Sequence, residues 1–361
     1  MTIKEVLKKY NKIEIELLLA HVLRKPREFL FLFPQHELTR IQHSRLTRIA
    51  RRRLRGEPIA YILGYKGFYG LKFKVNKNVL IPRPETEMVV DLVSAKLRSS
   101  PPMGEMPSAA EAERVQSYGK QPLPGPLLTA STSLGVTLSC AERVKRRGKL
   151  RGASIKILDI GTGSGCIVIS LAKNLSPSPN PSPSGRGKPQ PPLSLWERGR
   201  GEGYDFYASD VSSAALKVAR QNAKIRGVKV KFFQSDLLNN FKGNFDIIIA
   251  NLPYLSPDWK YNRAMGSSGL SYEPQQALFA KEKGLMLIRR LLEQIASLKY
   301  KPKLVYPAPL LSKKWCWIYL EFDPRQKLPL TKLIKKSLPG SKTKFYKDYG
   351  NLWRYVEISL S

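Results

Sequence analysis

Lys156-Ile157-Leu158-Asp159-Ile160-Gly161-Thr162-Gly163-Ser164-Gly165-Cys166-Ile167 sets a short apolar run against an acidic residue and three alternating glycines. An apolar-periodic segment, Ile167 to Leu175, follows. This is the pattern of a buried parallel strand feeding the N-terminus of a helix. Glycines let backbone approach a ligand closely, and a helix start offers unpaired N–H groups to its polar atoms. The spacing is Gly-x-Gly-x-Gly, not the Gly-x-Gly-x-x-Gly of dinucleotide binders. A second short run, Tyr204 to Ala208, leads to Asp210, whose carboxylate can accept hydrogen bonds from a ribose hydroxyl pair. A third, Phe245 to Ala250, delivers Asn251-Leu252-Pro253-Tyr254 at its C-terminal end. Ligands of open α/β sheets bind at the carboxyl ends of the strands, so the glycine loop and the Asn-x-Pro-Tyr are expected on one rim.

The 361 residues leave room for two domains and a sizeable core. A formal charge of +34 points to an anionic partner or to a solvated basic surface, and says nothing about fold. Three cysteines, without a Cys-x-x-Cys, argue against a zinc site or a disulfide framework and fit a reducing compartment. No signal peptide or membrane-spanning run is apparent, and a cytoplasmic location is expected. The three histidines, His21, His36 and His43, all lie in the N-terminal quarter, so the chemistry of the later domain is expected to run without a histidine base.

Residues 1–64 read as a small helical domain: Ile13, Leu17, Leu18, His21 and Val22 fall at helical spacing, as do Leu46, Ile49, Ala50 and Leu54. His21 is expected to pack in that core. Arg48, Arg51, Arg52, Arg53 and Arg55 give a basic helix face, suited to an acidic partner or RNA or simply to solvent. Residues 65–97 read as a β-hairpin followed by the stiff loop Arg83-Pro84-Glu85-Thr86-Glu87, which starts a helix from Met88 to Leu97 and is expected over the rim. Residues 98–153 read as a flexible insertion, and the Ser/Pro- and Arg/Gly-rich run 176–203 as a low-complexity one. Both would attach on the N-terminal side of the strands, away from the ligand rim. The remaining 154–361 reads as the α/β domain, with Asp236 and Leu237 in a rim loop where Asp236 could meet an adenine amino group or simply form the turn. Residues 255–280 read as a loop, Gly284 to Leu298 as a helix, and Leu304 to Val305 or Trp317 to Phe322, then Phe345 and Tyr355 to Ile358, as completing the sheet.

Several strings together resemble one family, the release factor glutamine methyltransferases: Gly56-Glu57-Pro58-Ile59-Ala60-Tyr61-Ile62-Leu63-Gly64, Val79 to Glu87, Asp159 to Gly165, Ala208-Ser209-Asp210, Asn251 to Tyr254, and Glu321 to Gln326. The resemblance implies a Rossmann-like α/β methyltransferase domain behind a helical domain, with S-adenosyl-L-methionine as cofactor. The implied acceptor is the side-chain amide of the glutamine in the Gly-Gly-Gln motif of class 1 peptide chain release factors. Asp159, Gly161, Thr162, Gly163, Ser164, Gly165, Asp210, Asp236, Leu237 and Asn251 would face the cofactor. Arg83, Pro84 and Glu85 would face the substrate with Asn251, Leu252, Pro253 and Tyr254, the last four also being catalytic. The family's motif is Asn-Pro-Pro-Tyr, and Leu252 replaces its first proline; Phe322 stands where glycine is usual. Two alternatives stay open. An adenine-N6 methyltransferase on DNA or RNA would present the same pair of exocyclic hydrogens, and a non-catalytic ribosome-associated descendant would keep the basic surface alone.

Overall fold

In a computed structural model, residues 1–10, 13–99, 154–175, 203–241, 245–259, 267–298 and 316–360 are described. The readings of 98–153 and 176–203 as flexible insertions, and of Leu304 to Val305 as a strand, therefore fall outside the described residues, except that the helix before the first insertion runs on to Ser99 and that Gly203 is described, its carbonyl accepting from the Ile155 N–H.

The N-terminal helices α1 (Ile3–Tyr10), α2 (Ile13–Leu23), α3 (Arg27–Leu32), α4 (Arg40–Leu54) and α5 (Ile59–Leu63) close on one apolar cluster. The buried stripe of α2 is Ile15, Leu18, Leu19, Val22 and Leu23, which leaves His21 exposed. The expectation that His21 packs in the core was wrong by one helical step: the more apolar neighbours took the inner face. Thr39 caps α4 through a reciprocal bond pair with Gln42, satisfying two orphan donors of its first turn. Hairpin β1 (Tyr65–Phe68) and β2 (Leu71–Lys74) follows, then a single 3₁₀ turn over Pro84–Thr86 opens α6 (Glu87–Ser99).

The rest is built on seven strands: β3 (Ile155–Ile160), β4 (Tyr204–Asp210), β5 (Lys231–Gln234), β6 (Ile247–Ala250), β7 (Cys316–Glu321), β8 (Lys342–Lys347) and β9 (Trp353–Leu360). Their order is β5-β4-β3-β6-β7-β9-β8. The first five are parallel and β9 runs antiparallel to both neighbours. Helices α7 (Cys166–Leu175), α8 (Ser213–Arg226), α9 (Gln275–Leu278), α10 (Met286–Ser297) and α11 (Lys327–Ser337) complete this part. Both faces of the central strands are covered, which is why they read as unbroken apolar runs. Alternate residues then sort by face: Leu158, Ile160, Ile248 and Ala250 pack with α10 and α11, while Ile157, Ile247 and Ile249 pack with α6 and α7.

The chain leaves β3 towards β4 and leaves β6 towards β7, so the connections part between two neighbouring strands and open a crevice at their carboxyl ends. The glycine loop and Asn251 meet there. Residues 255–280, read as a plain loop, hold a 3₁₀ turn at Ser267–Tyr272, helix α9, and a parallel bridge between Leu255 and Phe279. Cys166 and Cys316 are buried, and no helix among the described residues is long and apolar enough to cross a membrane.

Candidate active site

Two adjoining cavities share Leu80, Asn251, Leu252, Pro253 and Ala277 as a common wall. The crevice side, about 130 Å³, is bounded by Gly161, Gly163, Asp210, Ser212, Asp236 and Leu237. The cleft on the other side, about 480 Å³, runs past Arg53, Pro58, Arg83, Glu85, Tyr254, Glu273 and Glu321. A group bound in one cavity therefore meets a group bound in the other across the Asn251–Pro253 segment.

The glycine loop is shaped by its backbone. Gly161, Gly163 and Gly165 have φ of +70°, +55° and +81°, the left-handed region that side chains with a Cβ rarely adopt. A Cβ on Gly161 would also stand 3.2 Å from the Leu252 side chain. Beneath the loop, Asp159 is buried, accepting from the Thr162 hydroxyl at 2.7 Å. Its Oδ1 is buried with no hydrogen-bond partner. Burial pushes this carboxyl up to about 7, against the pull of the Thr162 hydroxyl and the Val168 N–H. Asp159, Thr162, Ser164 and Gly165 are buried and do not line the crevice, so of the residues expected at the cofactor these four are set back from it. Asp210 accepts from the N–H of Gly163 and of Ser212, both at 2.9 Å. A carboxylate has about four acceptor positions, so roughly two remain for hydroxyl donors. Asp236 reaches the crevice, but its carboxylate is held by Arg290 at 2.6 Å, a partner that the reading of an adenine contact did not include. Leu237 has φ of +53°, a strained backbone costing roughly 1–3 kcal/mol that places a buried leucine against the crevice.

On the cleft side the stiff loop does come over the rim. Pro84 and Glu85 are exposed, and Arg83 pairs with Glu273 at 2.5 Å. Glu273 also accepts from the N–H of Ile81 at 3.0 Å, and the Tyr61 hydroxyl donates to the Val79 carbonyl at 2.6 Å, tying this loop to the helical region. Behind the rim sits Glu321, fully buried at the end of β7. Its Oε1 accepts from the Tyr254 hydroxyl at 2.9 Å; its Oε2 accepts from the Thr86 hydroxyl at 2.9 Å and from Tyr355. Burial raises this carboxyl, opposed by the three hydroxyls and by Arg354. Burial next to Glu321 also raises the Tyr254 and Tyr355 phenols, so both remain donors. Asn251 donates through Nδ2 to the Thr86 oxygen at 3.1 Å. The Tyr254 carbonyl accepts from Gln326 Nε2 at 2.9 Å.

The structure thus brings together Asn251 to Tyr254, Gly161, Gly163, Asp210 and the Arg83–Glu85 loop, all of them marked in the sequence. Sequence reading gave no role to Thr86, Glu273, Glu321, Gln326 or Tyr355. Thr86, Glu321 and Gln326 lie inside strings already marked by resemblance, which was the one signal available for them.

A glycine loop and an acidic strand end facing a crevice, on a seven-stranded sheet of this order, define a methyltransferase, and residues 152–298 match a methyltransferase domain. Residues 4–64 match the PrmC N-terminal domain. The release factor glutamine methyltransferase of Pasteurella multocida is 31% identical over 84% of this chain and 79% of its own length. The chain belongs to the release factor glutamine methyltransferase family. A Rickettsia bellii protein named bifunctional methyltransferase is 32% identical over 76% of this chain and 40% of its own length. The Lactococcus lactis release factor glutamine methyltransferase is 31% identical over 69% of this chain and 62% of its own. The chain thus spans less than two thirds of the length of these last two relatives.

Proposed function

We propose that this protein transfers a methyl group from S-adenosyl-L-methionine to the side-chain amide nitrogen of the glutamine in the Gly-Gly-Gln motif of class 1 peptide chain release factors. The observation that carries the reading is the shared wall: Asn251, Leu252 and Pro253 border both the glycine-loop crevice and the cleft roofed by Arg83 and Glu85. The crevice suits the cofactor's chemistry. Asp210 keeps acceptor capacity for ribose hydroxyls, and Gly161 and Gly163 leave room for close approach. When bound, the cofactor supplies an electrophilic methyl.

A primary amide nitrogen is a poor nucleophile because its lone pair is delocalised into the carbonyl. What the protein contributes is aim. The Asn251 Oδ1 and the Leu252 carbonyl accept the two amide hydrogens, turning the nitrogen towards the crevice and stabilising the positive charge that grows on it. Tyr254 walls the flat amide, and no histidine base is needed, since the proton becomes acidic only after transfer. Mass spectrometry of the Gly-Gly-Gln peptide, after incubation with a folded release factor and cofactor, is expected to show a gain of one methyl on the glutamine. Asn251→Ala is expected to lower the rate by about 100-fold or more while cofactor binding persists; full activity in that variant sinks the assignment.

Exposed Arg48 and Arg51 on α4 and Arg55 just past its end support a weak second contact with RNA or the ribosome, Arg52 and Arg53 being tied to Glu57 and Glu14. A contact of that kind weakens steeply with salt.

A further inference from the structure

We infer that Thr86 and Glu321 form a polarity relay that fixes which end of the Asn251 amide faces the cleft, making the site select an N–H donor over an acceptor. The inference rests on the proposed amide chemistry and adds positioning residues and a specificity rule to it.

The argument is one of counting hydrogens. Three hydroxyls, Thr86, Tyr254 and Tyr355, converge on the Glu321 carboxylate. The three hydroxyls and Arg354 all favour the charged form of Glu321 against its burial; in that form the carboxylate only accepts, so each hydroxyl points its single hydrogen at Glu321. Thr86 then has no hydrogen left for Asn251, and its oxygen can only accept. The Asn251 group within 3.1 Å of that oxygen must therefore be the NH₂. The opposite orientation would set Oδ1 against a lone pair with no hydrogen between them. Oδ1 is thus turned away from Thr86, leaving an acceptor for an incoming group. The five members come from four places: Thr86 from the turn before α6, Asn251 and Tyr254 from the segment after β6, Glu321 from the end of β7, and Tyr355 from β9, in register with Glu321. Buried polar networks that are fully satisfied hold one arrangement firmly.

An acceptor facing the cleft welcomes a primary amide and repels a carboxylate. The site should therefore discriminate glutamine from glutamate at the acceptor position, because a carboxylate brought against Oδ1 leaves both unpaired.

Thr86→Val keeps the side chain's shape and removes the relay, and Thr86→Ser restores the hydroxyl. Expected for Thr86→Val is about a tenfold or larger fall in kcat with cofactor Kd unchanged, and Thr86→Ser should return kcat to within about threefold of the unaltered protein. A competing peptide with glutamate in place of the acceptor glutamine should bind about tenfold more weakly than the glutamine peptide, and Thr86→Val should narrow that gap. An unchanged gap, or full kcat in Thr86→Val, overturns the inference. Neutron diffraction on the unaltered protein judges the arrangement apart from activity. Deuterium on the Asn251 nitrogen facing Thr86 supports it, even if no glutamine is methylated, which would strike the substrate reading instead. Oδ1 facing Thr86 overturns it whatever the protein methylates.

Discussion

Asp159 shows how much one side chain under a loop can be asked to do. It accepts from the Thr162 hydroxyl, which pins the glycine loop, and the nearby Val168 N–H in the first turn of α7 also favours its charged form. Those bonds do not fully offset burial, and its carboxyl stands at about 7 against an ordinary 3.8. The sign follows from that direction. A folded-state value above the unfolded one contributes stability that is complete below 3.8 and is lost as pH rises through about 7. The slope from one such group reaches at most about 1.4 kcal/mol per pH unit. Denaturant unfolding of the cofactor-free protein between pH 5 and pH 8.5 should therefore show a decline that is shallower in Asp159→Asn. Parallel curves for the two proteins would mean that Asp159 does not titrate in this window. At the same scale, Leu252 has a physical meaning beyond replacing a proline: it is 4% exposed and its side chain fills the space above Gly161.

At the scale of elements, the rim is held by what surrounds the strand ends. Gly284 stands in the turn before α10 with φ of +83°, and a Cβ there would lie 1.9 Å from the Tyr254 carbonyl oxygen and 2.5 Å from Gln326 Nε2. Gln326 bonds that same carbonyl as well as the Lys283 carbonyl, so turn, tyrosine and glutamine are one packed unit. Gly284→Ala must displace Tyr254 or fail to fold; the expected result is a melting temperature lowered by several degrees, for a cost of about 2 kcal/mol or more, together with lost methyl transfer. Wild-type melting and turnover in that variant would contradict the packing. This unit marks where sequence reading stopped. The β3 run, its glycines and the Asn251–Tyr254 strand end were legible because period and turn chemistry are local. Glu321 was not, since its partners sit at 86, 254 and 355, and no spacing announces three hydroxyls converging on one carboxylate. Glu273 escaped for the same reason: it meets Arg83 and Ile81 nearly two hundred positions earlier in the chain. His21 failed differently, because both faces of a very apolar helix offered candidates for the core and the period alone did not choose between them.

For the whole molecule, the placement of the long connections relative to the site is what matters. Ser99 ends α6 and β3 begins at Ile155; Leu175 ends α7 and β4 begins at Tyr204. Both re-entries are at the N-terminal ends of parallel strands, whereas Gly161, Gly163, Asp210 and Asn251 follow the C-terminal ends. A strand rises about 3.3 Å per residue, so β3 and β4 put roughly 15–20 Å between these junctions and the crevice. Helix-to-strand connections in α/β units need only about 2–6 residues, and shortening a long connection changes the closure free energy by little. Replacing residues 176–202 with a four-residue Gly/Ser linker is therefore expected to leave cofactor affinity and kcat within about threefold of the full chain. The measurement is paired: isothermal titration with the cofactor, and single-turnover methylation of a release factor. Loss of methylation with cofactor binding intact would show that this connection reaches the acceptor, whereas loss of both would show that the fold depends on it. Retention of both places the working parts of the molecule in the rim, where Asp210, Gly161, Gly163 and Asn251 border one crevice.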